Sequence, residues 1–316
     1  MYDLIIIGGS AAASSAAIYC ARRKLNFKII TLDTGGEVAL SGEVGNWPGV
    51  ISIQGFELAK KFNEHVKSYG VEIDEGWKVE KITPVKKHYR LTSTNGAGET
   101  REVETKSVII TTGIHPRRLG VPGEDELDRK GITYCTVCDG PLFKNKTTVT
   151  IGSGNSALEP VLMMATFAKK VYLLSKFADT PENNGGFPKG ENILIEKAKA
   201  ASNIEIIYEA TTTAAIGDNG RVKGVKYKDK NGEEHELAVE GIMVHVGTIP
   251  NSQFVEKVKK NKIGEIMVDE KCRTSVKGIF AAGDVTDVAY KQIGIAAGQG
   301  IIAGLAAIEY INLWKE

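Results

Sequence analysis

YDLIIIGGSAAASSAAIYC, residues 2–20, is an apolar run that leads into glycines and then into small residues. A continuous apolar run ending in glycines is typical of a buried parallel strand that enters a phosphate-binding turn. The small residues predict a helix, and FKIITLD, residues 27–33, predicts a second strand. The N-terminal segment is therefore predicted to form a β-α-β unit.

The turn of this unit, Gly8-Gly9-Ser10-Ala11-Ala12-Ala13, departs from the Gly-x-Gly-x-x-Gly pattern at two places. In the full pattern, the second glycine lets the backbone approach a pyrophosphate, and the third permits close helix–strand packing. Here Ser10 stands in the second position and Ala13 in the third. Taken alone, the turn also fits a plain βα connection. Asp33, at the end of the next strand, is positioned to accept hydrogen bonds from ribose hydroxyls. Together the turn and the acid predict a dinucleotide site.

The same pattern returns in TTVTIGSGNSALEP, residues 147–160, with the turn Gly152-Ser153-Gly154-Asn155-Ser156-Ala157. The following strand ends at Ser175-Lys176-Phe177, which offers neither an acid for a free 2′-hydroxyl nor an arginine cluster for a 2′-phosphate. Lys176 supplies one cation. This segment predicts either a second dinucleotide site or a vestigial nucleotide fold. Two such units in one chain predict an α/β protein.

The bulk composition excludes several classes of protein. The 316 residues carry a formal net charge of +1, and charged residues make up 25% of the chain, so no footprint for nucleic acid or an anionic membrane is present. Residues 4–21 are uncharged but are preceded by Asp3 and broken by small residues, which argues against a signal peptide or membrane span. We therefore expect a cytoplasmic protein with neither a nucleic-acid nor a membrane partner.

Two of the four cysteines, Cys135 and Cys138, stand two residues apart in ITYCTVCDGPLF, residues 132–143. Such a pair fits a metal site, a structural disulfide or a redox-active dithiol. A structural zinc site requires four ligands. The sequence has no second cysteine pair and no suitably spaced histidine, so no metal is predicted. Cytoplasmic cysteine pairs are more often catalytic than structural. We predict a redox dithiol, with Asp139 passing protons to and from the exchanging thiol.

With CTVCDG placed between two dinucleotide units, the chain resembles the low-molecular-weight thioredoxin reductases over essentially its whole length. The resemblance also rests on DLIIIGG, GNWPG, IITTG, VGTIPN, GIFAAGDV and KQIGIAAGQG. It implies two Rossmann-like three-layer domains, with the nicotinamide domain inserted into a discontinuous FAD domain. The implied FAD domain covers 1–114 and 247–316, and the implied NAD(P)H domain, with the dithiol, covers 115–246.

The resemblance also implies roles for individual residues. Cys138 is the thiol that faces the flavin, and Cys135 is the one that exchanges with the protein substrate. Lys291, Gln292 and Ile293 begin a helix whose positive end favours reduced flavin. The other residues implied for FAD are Gly8, Ser10, Ala13, Asp33, Gly36, Glu37, Asn46, Thr112, Gly113, Gly283 and Asp284. Those implied more weakly for NAD(P)H are Gly152, Gly154, Asn155, Ser156 and Lys176.

The family pattern is broken at three places. Ser10 replaces a glycine, Glu37 replaces a glutamine, and Ser175-Lys176-Phe177 replaces a basic 2′-phosphate motif. A lone lysine does not replace a bidentate arginine clamp on phosphate, so only a weak preference for NADPH is predicted. The resemblance further implies a homodimer, a thioredoxin-like protein partner and a role in cell redox homeostasis.

The resemblance thus implies an FAD-dependent thioredoxin-disulfide reductase that takes electrons from NAD(P)H through FAD and the Cys135–Cys138 dithiol. Three rival functions stay open. The same fold can take electrons from a non-nicotinamide donor such as ferredoxin or a deazaflavin. It can also oxidise small dithiols with oxygen, although Asp139 argues against this because such oxidases commonly have a histidine there. A non-enzymatic flavoprotein is the third rival, and the intact Cys-x-x-Cys-Asp argues against it.

Overall fold

The computed structural model describes residues 1–41 and 43–315, and for Glu43, Val137 and Cys138 it describes the backbone only. The chain divides into two units: unit 1 combines Met1–His115 with Ile249–Glu316, and unit 2 is Pro116–Thr248. Unit 2 is thus an insertion in unit 1, as the resemblance implies. Each unit is α/β and contains parallel strands, as the sequence predicts. Which cofactor each predicted domain holds stays a prediction.

The strands are β1 Tyr2–Ile7, β2 Phe27–Thr31, β3 Glu43–Val44, β4 Ile53–Gln54, β5 Glu72–Glu75, β6 Trp77–Val85, β7 His88–Asn95, β8 Thr100–Ile110, β9 Ile114–Pro116, β10 Ile132–Thr133, β11 Thr147–Ile151, β12 Lys170–Leu174, β13 Ile204–Ile207, β14 Thr211–Asp218, β15 Arg221–Lys228, β16 Glu234–Ala238, β17 Gly241–Val244, β18 Thr248–Pro250 and β19 Ile279–Ala281. The helices are α1 Ala11–Arg22, α2 Gly36–Leu40, α3 Gly55–Ser68, α4 Thr136–Asp139, α5 Asn155–Ala165, α6 Asn192–Ala200 and α7 Ile293–Asn312. Segments Gly140–Phe143 and Pro181–Asn183 form 3₁₀ turns.

The main sheet of unit 1 has the order β5-β2-β1-β8, all parallel, and β19 pairs in parallel with β8. Strands β7 and β6 continue from β8 in antiparallel pairing. Leu4 and Ile6 pack into one apolar cluster with α1 and α7, whereas Ile5 and Ile7 pack into the cluster on the opposite face. Because β1 is covered on both faces, its sequence is continuously apolar rather than alternating.

Small residues let α1 and α7 approach closely. A Cβ on Gly300 of α7 would come within 2.1 Å of the Ala12 carbonyl oxygen in α1, and one on Gly304 within 3.2 Å of the Ala16 carbonyl oxygen. By length and composition alone α7 is apolar enough to cross a membrane, but 44% of its apolar window is buried inside the protein. Its small residues therefore serve packing against α1.

The main sheet of unit 2 has the order β10-β17-β11-β12-β13 and is parallel throughout. Strands β14, β15 and β16 form a separate antiparallel sheet. The chain passes between the units along Ile114–Pro116 and again along Thr248–Pro250, and these two strands pair with each other. The cysteine pair follows β10, and the second glycine turn follows β11.

Candidate active site

Cys135 lies between β10 and α4, and it is half-buried and disulfide-bonded. A cysteine held in a disulfide does not offer the thiolate that a zinc ion requires. The structure thus favours a disulfide over a metal site at this position. The side chain of Cys138 lies outside the described residues, so its role stays a prediction.

Thr133 stabilises the turn of residues 133–139, which contains Cys135 and is called the redox turn below. Its hydroxyl donates to a carboxylate oxygen of Asp139 at 2.5 Å and accepts the Cys135 backbone N–H at 3.1 Å. The Asp139 N–H in turn donates to the Cys135 carbonyl at 3.1 Å. The carboxylate predicted to handle protons is therefore held in the same turn as Cys135. Thr133 is absent from the predicted site residues, since nothing local distinguishes a strand threonine from any other.

A buried carboxylate, Glu124, fixes the residue before Cys135. It accepts the backbone N–H groups of Leu119 and Gly120, each at 2.7 Å, and the Tyr134 hydroxyl at 2.6 Å. Burial opposes ionisation, but the hydrogen bonds from Tyr134 and the two backbone donors outweigh it, so the pKa of Glu124 is lowered. Glu124 is thus ionised, and it holds Tyr134, the residue before Cys135, in place by a hydrogen bond.

The other two cysteines are free and buried in the core of unit 1. Burial raises the pKa of Cys20 and of Cys272 to about 12 in each case. Their thiols are therefore protonated at neutral pH and poor nucleophiles.

The first glycine turn is shaped by close backbone approaches. A Cβ on Gly8 would come within 2.4 Å of the Thr111 carbonyl oxygen, which explains the glycine. Ser10 donates its hydroxyl to the Gly35 carbonyl at 2.6 Å, and Asp33 accepts the Gly36 N–H at 3.0 Å. Ser10 therefore connects the glycine turn to the segment that follows β2. Ala13 is fully buried against the core, as its packing role predicts.

Asp284, directly after Gly283, carries an orphaned acceptor. Its Oδ1 atom is buried and has no hydrogen-bond partner among the described residues. Burial raises the pKa of this carboxyl, and Lys291 partly offsets the shift. Gly283 itself is held by its N–H, which donates to Gln299 at 2.8 Å. An unpaired buried acceptor costs stability unless a ligand supplies the donor.

Glu37 is another of the predicted FAD residues in unit 1. Loss of surrounding water raises the pKa of the Glu37 carboxyl, His115 lowers it, and the charges of Asp33 and Asp284 raise it further. These interactions place three predicted FAD residues, Glu37, Asp33 and Asp284, within electrostatic reach of one another.

The remaining predicted FAD residues fall into two groups. Asn46 donates its side-chain amide to Gln292 at 3.1 Å, across 246 positions of sequence. Lys291 forms an ion pair with Glu265 at 2.8 Å and also donates to the Thr286 carbonyl, and Ile293 begins α7. The second group is Thr112 and Gly113.

Asn251 binds the segment that contains Thr112 and Gly113. Its backbone carbonyl accepts the Thr112 hydroxyl at 2.6 Å, its N–H donates to the Gly113 carbonyl at 3.0 Å, and its Oδ1 lies 2.6 Å from His115 Nδ1. The VGTIPN pattern includes Asn251 without assigning it a role, and its contacts identify it as a residue that holds this strand end.

Hydrogen bonds of Ser153 and Ser175 connect the second glycine turn to the segment after β12. Ser153 accepts the Lys176 N–H at 3.3 Å and lies 3.0 Å from the Ser175 hydroxyl, which donates to the Gly186 carbonyl at 2.6 Å. Ser175 is fully buried, so it has a structural role at the position where the family pattern has a basic side chain. Lys176 is exposed, with its ammonium 5.2 Å from the Phe177 ring centre.

The loop before α6 returns to the same turn. Asn155 and Glu191 share two hydrogen bonds of 2.8 Å, and Lys189 forms an isolated β-bridge with Gly154. Lys189 is exposed and is thus a second cation beside the turn, in addition to Lys176. The sequence does not reveal this, because Gly154 and Lys189 lie 35 positions apart. Ser156 is exposed at the start of α5.

The family model for pyridine nucleotide-disulphide oxidoreductases matches residues 2–300. The chain belongs to this family, and it is an oxidoreductase.

Among solved structures, the chain is similar to a thioredoxin reductase of Lactococcus lactis, with 32% identity, a TM-score of 0.79 and coverage of 99% of this chain and 100% of that one. It is also similar to the thioredoxin reductase of T. acidophilum, with 38% identity, a TM-score of 0.75 and 98% coverage of both chains. Among curated proteins it is 38% identical to a subunit of the alkyl hydroperoxide reductase of Escherichia coli over 98% of this chain, but it spans only 58% of that protein's length.

Proposed function

We propose that this chain is an FAD-dependent disulfide reductase that passes electrons from NAD(P)H to a thioredoxin-like protein. The observation that carries the proposal is the disulfide-bonded Cys135 in a turn whose neighbours, Thr133 and Asp139, suit thiol–disulfide exchange. Whole-length similarity to two thioredoxin reductases supports it. We further propose a cytoplasmic homodimer.

The residues of unit 1 fit FAD. The Gly8 turn lies beside Asp33, which suits the pyrophosphate and ribose of a dinucleotide. The orphaned Oδ1 of Asp284 suits a hydroxyl donor of the ligand. Asn46 and Gln292 form a joined amide pair that offers further donors and acceptors. Bound FAD would supply the electron transfer that reduces the protein's disulfide.

The chain's own residues then carry out the exchange. In the reduced state the Cys135 thiolate attacks one sulfur of the partner's disulfide, and the partner's second sulfur leaves as a thiolate. Cys138 attacks the mixed disulfide, the Cys135–Cys138 disulfide forms again, and the partner is released as a dithiol. Asp139, held by Thr133, is positioned in this turn to take up and return the proton.

The surface beside the dithiol suits a protein partner. Leu142 follows α4 in the same turn region, and its side chain is 71% exposed. Exposed large apolar side chains near a site commonly mark a protein-binding surface. Docking of a thioredoxin-like protein would cover Leu142.

A second candidate partner follows from the similarity to the alkyl hydroperoxide reductase of Escherichia coli. In that case the chain would reduce a disulfide in a peroxide-reducing system rather than a free thioredoxin. Both candidates use the same Cys135 chemistry and differ only in the protein that receives the electrons.

The test is NAD(P)H consumption by the FAD-loaded protein with thioredoxin as the acceptor. We expect turnover that is abolished in Cys135→Ser and retained in Cys20→Ala, a change at a free buried cysteine. We expect Leu142→Glu to raise the KM for thioredoxin without changing flavin reduction. Turnover only with a disulfide protein of a peroxidase system would favour the second candidate. Peroxide production on adding dithiothreitol, without nicotinamide consumption, would contradict both and indicate a dithiol oxidase.

A further inference from the structure

A hydrogen bond joins the redox turn to a different strand of unit 2. The Thr136 hydroxyl oxygen, in the residue after Cys135, lies 2.7 Å from Nε2 of His245. Thr136 is 1% exposed, so this contact is shielded from water. Thr136 and His245 are 109 positions apart in the sequence.

The backbone of His245 is fixed independently of this bond. Its N–H donates to the Ile151 carbonyl at 2.8 Å, which continues the pairing of β17 with β11. Its carbonyl oxygen lies so close to Gly152 that a Cβ there would come within 2.3 Å. His245 thus stands on a rigid strand end, whereas α4 is only four residues long. A short helix needs such an external contact, because its few internal hydrogen bonds hold it weakly.

The imidazole is suited to hold a hydroxyl rather than to exchange protons. Burial lowers the pKa of His245 to about 4, so the ring is neutral near pH 7. A neutral imidazole has one donor and one acceptor nitrogen, and a threonine hydroxyl can pair with either.

Other buried threonines of unit 2 lack a partner of this kind in the part of the chain that the structure describes. The hydroxyls of Thr148 and Thr150 on β11 are buried and have no hydrogen-bond partner among the described residues. Thr136 differs because it meets a polar side chain from a separate strand. Thr150 therefore provides a matched control for removal of a buried hydroxyl.

We propose that His245 is a positioning residue for the redox turn, which it holds through the Thr136 hydroxyl in the geometry in which Cys135 is disulfide-bonded. This inference rests on the proposed function, since it assumes that this disulfide takes part in turnover. Because the contact holds the oxidised turn, its loss should destabilise the disulfide relative to the dithiol.

The experiment measures the dithiol–disulfide equilibrium of Cys135 in the FAD-loaded protein against glutathione redox buffers, by alkylation and mass analysis of the Cys135 peptide. The variants are Thr136→Val, His245→Ala, the double variant, Thr136→Ser, His245→Gln and the control Thr150→Val. Thermal unfolding of each variant reports whether it is folded. Turnover with thioredoxin is measured in parallel.

We expect Thr136→Val and His245→Ala each to shift the equilibrium about tenfold toward the dithiol, about 30 mV. The double variant should show no further shift, since both changes break one contact. Thr136→Ser, His245→Gln and Thr150→Val should stay within about twofold of the wild type, because the first two keep a hydrogen-bonding group and the third loses none.

Three results would overturn the inference: additive shifts in the double variant, a folded Thr136→Val with the wild-type equilibrium, or a Thr136→Ser shifted as far as Thr136→Val. Failure of the proposed function is recognised separately, because wild-type protein would then give no turnover with thioredoxin or the peroxidase-type partner. The equilibrium of Cys135 with glutathione is measured without turnover.

Discussion

The Thr133 hydroxyl donates a hydrogen bond to the Asp139 carboxylate at 2.5 Å and accepts one from the Cys135 N–H. One threonine therefore holds both the disulfide-bonded cysteine and the only carboxylate of α4. In the proposed mechanism Asp139 exchanges the proton, and Thr133 orients Asp139 through this hydrogen bond.

Removing the Asp139 carboxylate should lower kcat more than removing the Thr133 hydroxyl that holds it. We expect Asp139→Asn to lower kcat with a disulfide protein about 100-fold, in the range of general acid–base catalysis, and Thr133→Val to lower it about tenfold. Rapid-mixing kinetics of the thiol–disulfide exchange would measure both. A kcat for Asp139→Asn within twofold of the wild type would contradict the assignment of the proton to this residue.

Glu124 should contribute stability that depends on pH. Its folded pKa is lowered, so its stabilisation is present above the unfolded value of about 4.3 and is lost as pH falls through the lower folded value. Glu124→Gln leaves a part-buried N–H or hydroxyl donor without its acceptor, so we expect a loss of about 1 kcal/mol at pH 7. Glu126→Gln, at an exposed position of the same segment, should be neutral. Thermal unfolding at pH 7 and below pH 4 would test this, and an equal deficit at both pH values would count against an ionised anchor.

Helix α7 offers a matched pair of glycines. Gly300→Ala should destabilise unit 1 by about 2 kcal/mol, because the new Cβ meets the Ala12 carbonyl oxygen at 2.1 Å. Gly298→Ala should be neutral or stabilising by up to about 1 kcal/mol, since a Cβ there meets no atom within 4 Å. Melting temperatures of the two variants measure the difference. A lower melting temperature for Gly298→Ala than for Gly300→Ala would show that α1 and α7 do not pack as described.

Nicotinamide specificity should be weak. Lys176 and Lys189 are exposed lysines beside the second glycine turn, and point charges on flexible stems do not reproduce an arginine clamp on phosphate. We expect anaerobic reduction of the flavin to prefer NADPH over NADH by less than about 100-fold, about 2.7 kcal/mol. Lys189→Ala should reduce that preference about threefold to tenfold. A preference of about 100-fold or more would refute this expectation, and no reduction by either nucleotide would favour a different electron donor.

Patterns local in sequence predict the parallel strands and both glycine turns, whereas the insertion of one unit in the other follows only from the family resemblance. They succeed because a buried parallel strand and a close turn constrain consecutive residues. The cysteine pair is recognisable because its two members, Cys135 and Cys138, are close together in the sequence.

Contacts between distant segments were not predictable in this way. Asn251 with Thr112, Lys189 with Gly154 and Thr136 with His245 each depend on which strands become neighbours in the folded unit. A threonine or asparagine that binds such a partner looks locally like any other. The sequence shows that the basic motif after β12 is missing, but it does not show that Ser175 is buried and hydrogen-bonded there or that a second cation, Lys189, comes from the loop before α6.

The most direct test of the central claim is an anaerobic reductive titration of the FAD-loaded protein that counts electrons per chain. A redox-active Cys135 disulfide in addition to the flavin predicts uptake of about four electrons, and Cys135→Ser should take up about two. Uptake of only about two electrons by the wild-type protein, with Cys135 still in its disulfide, would contradict the proposed mechanism.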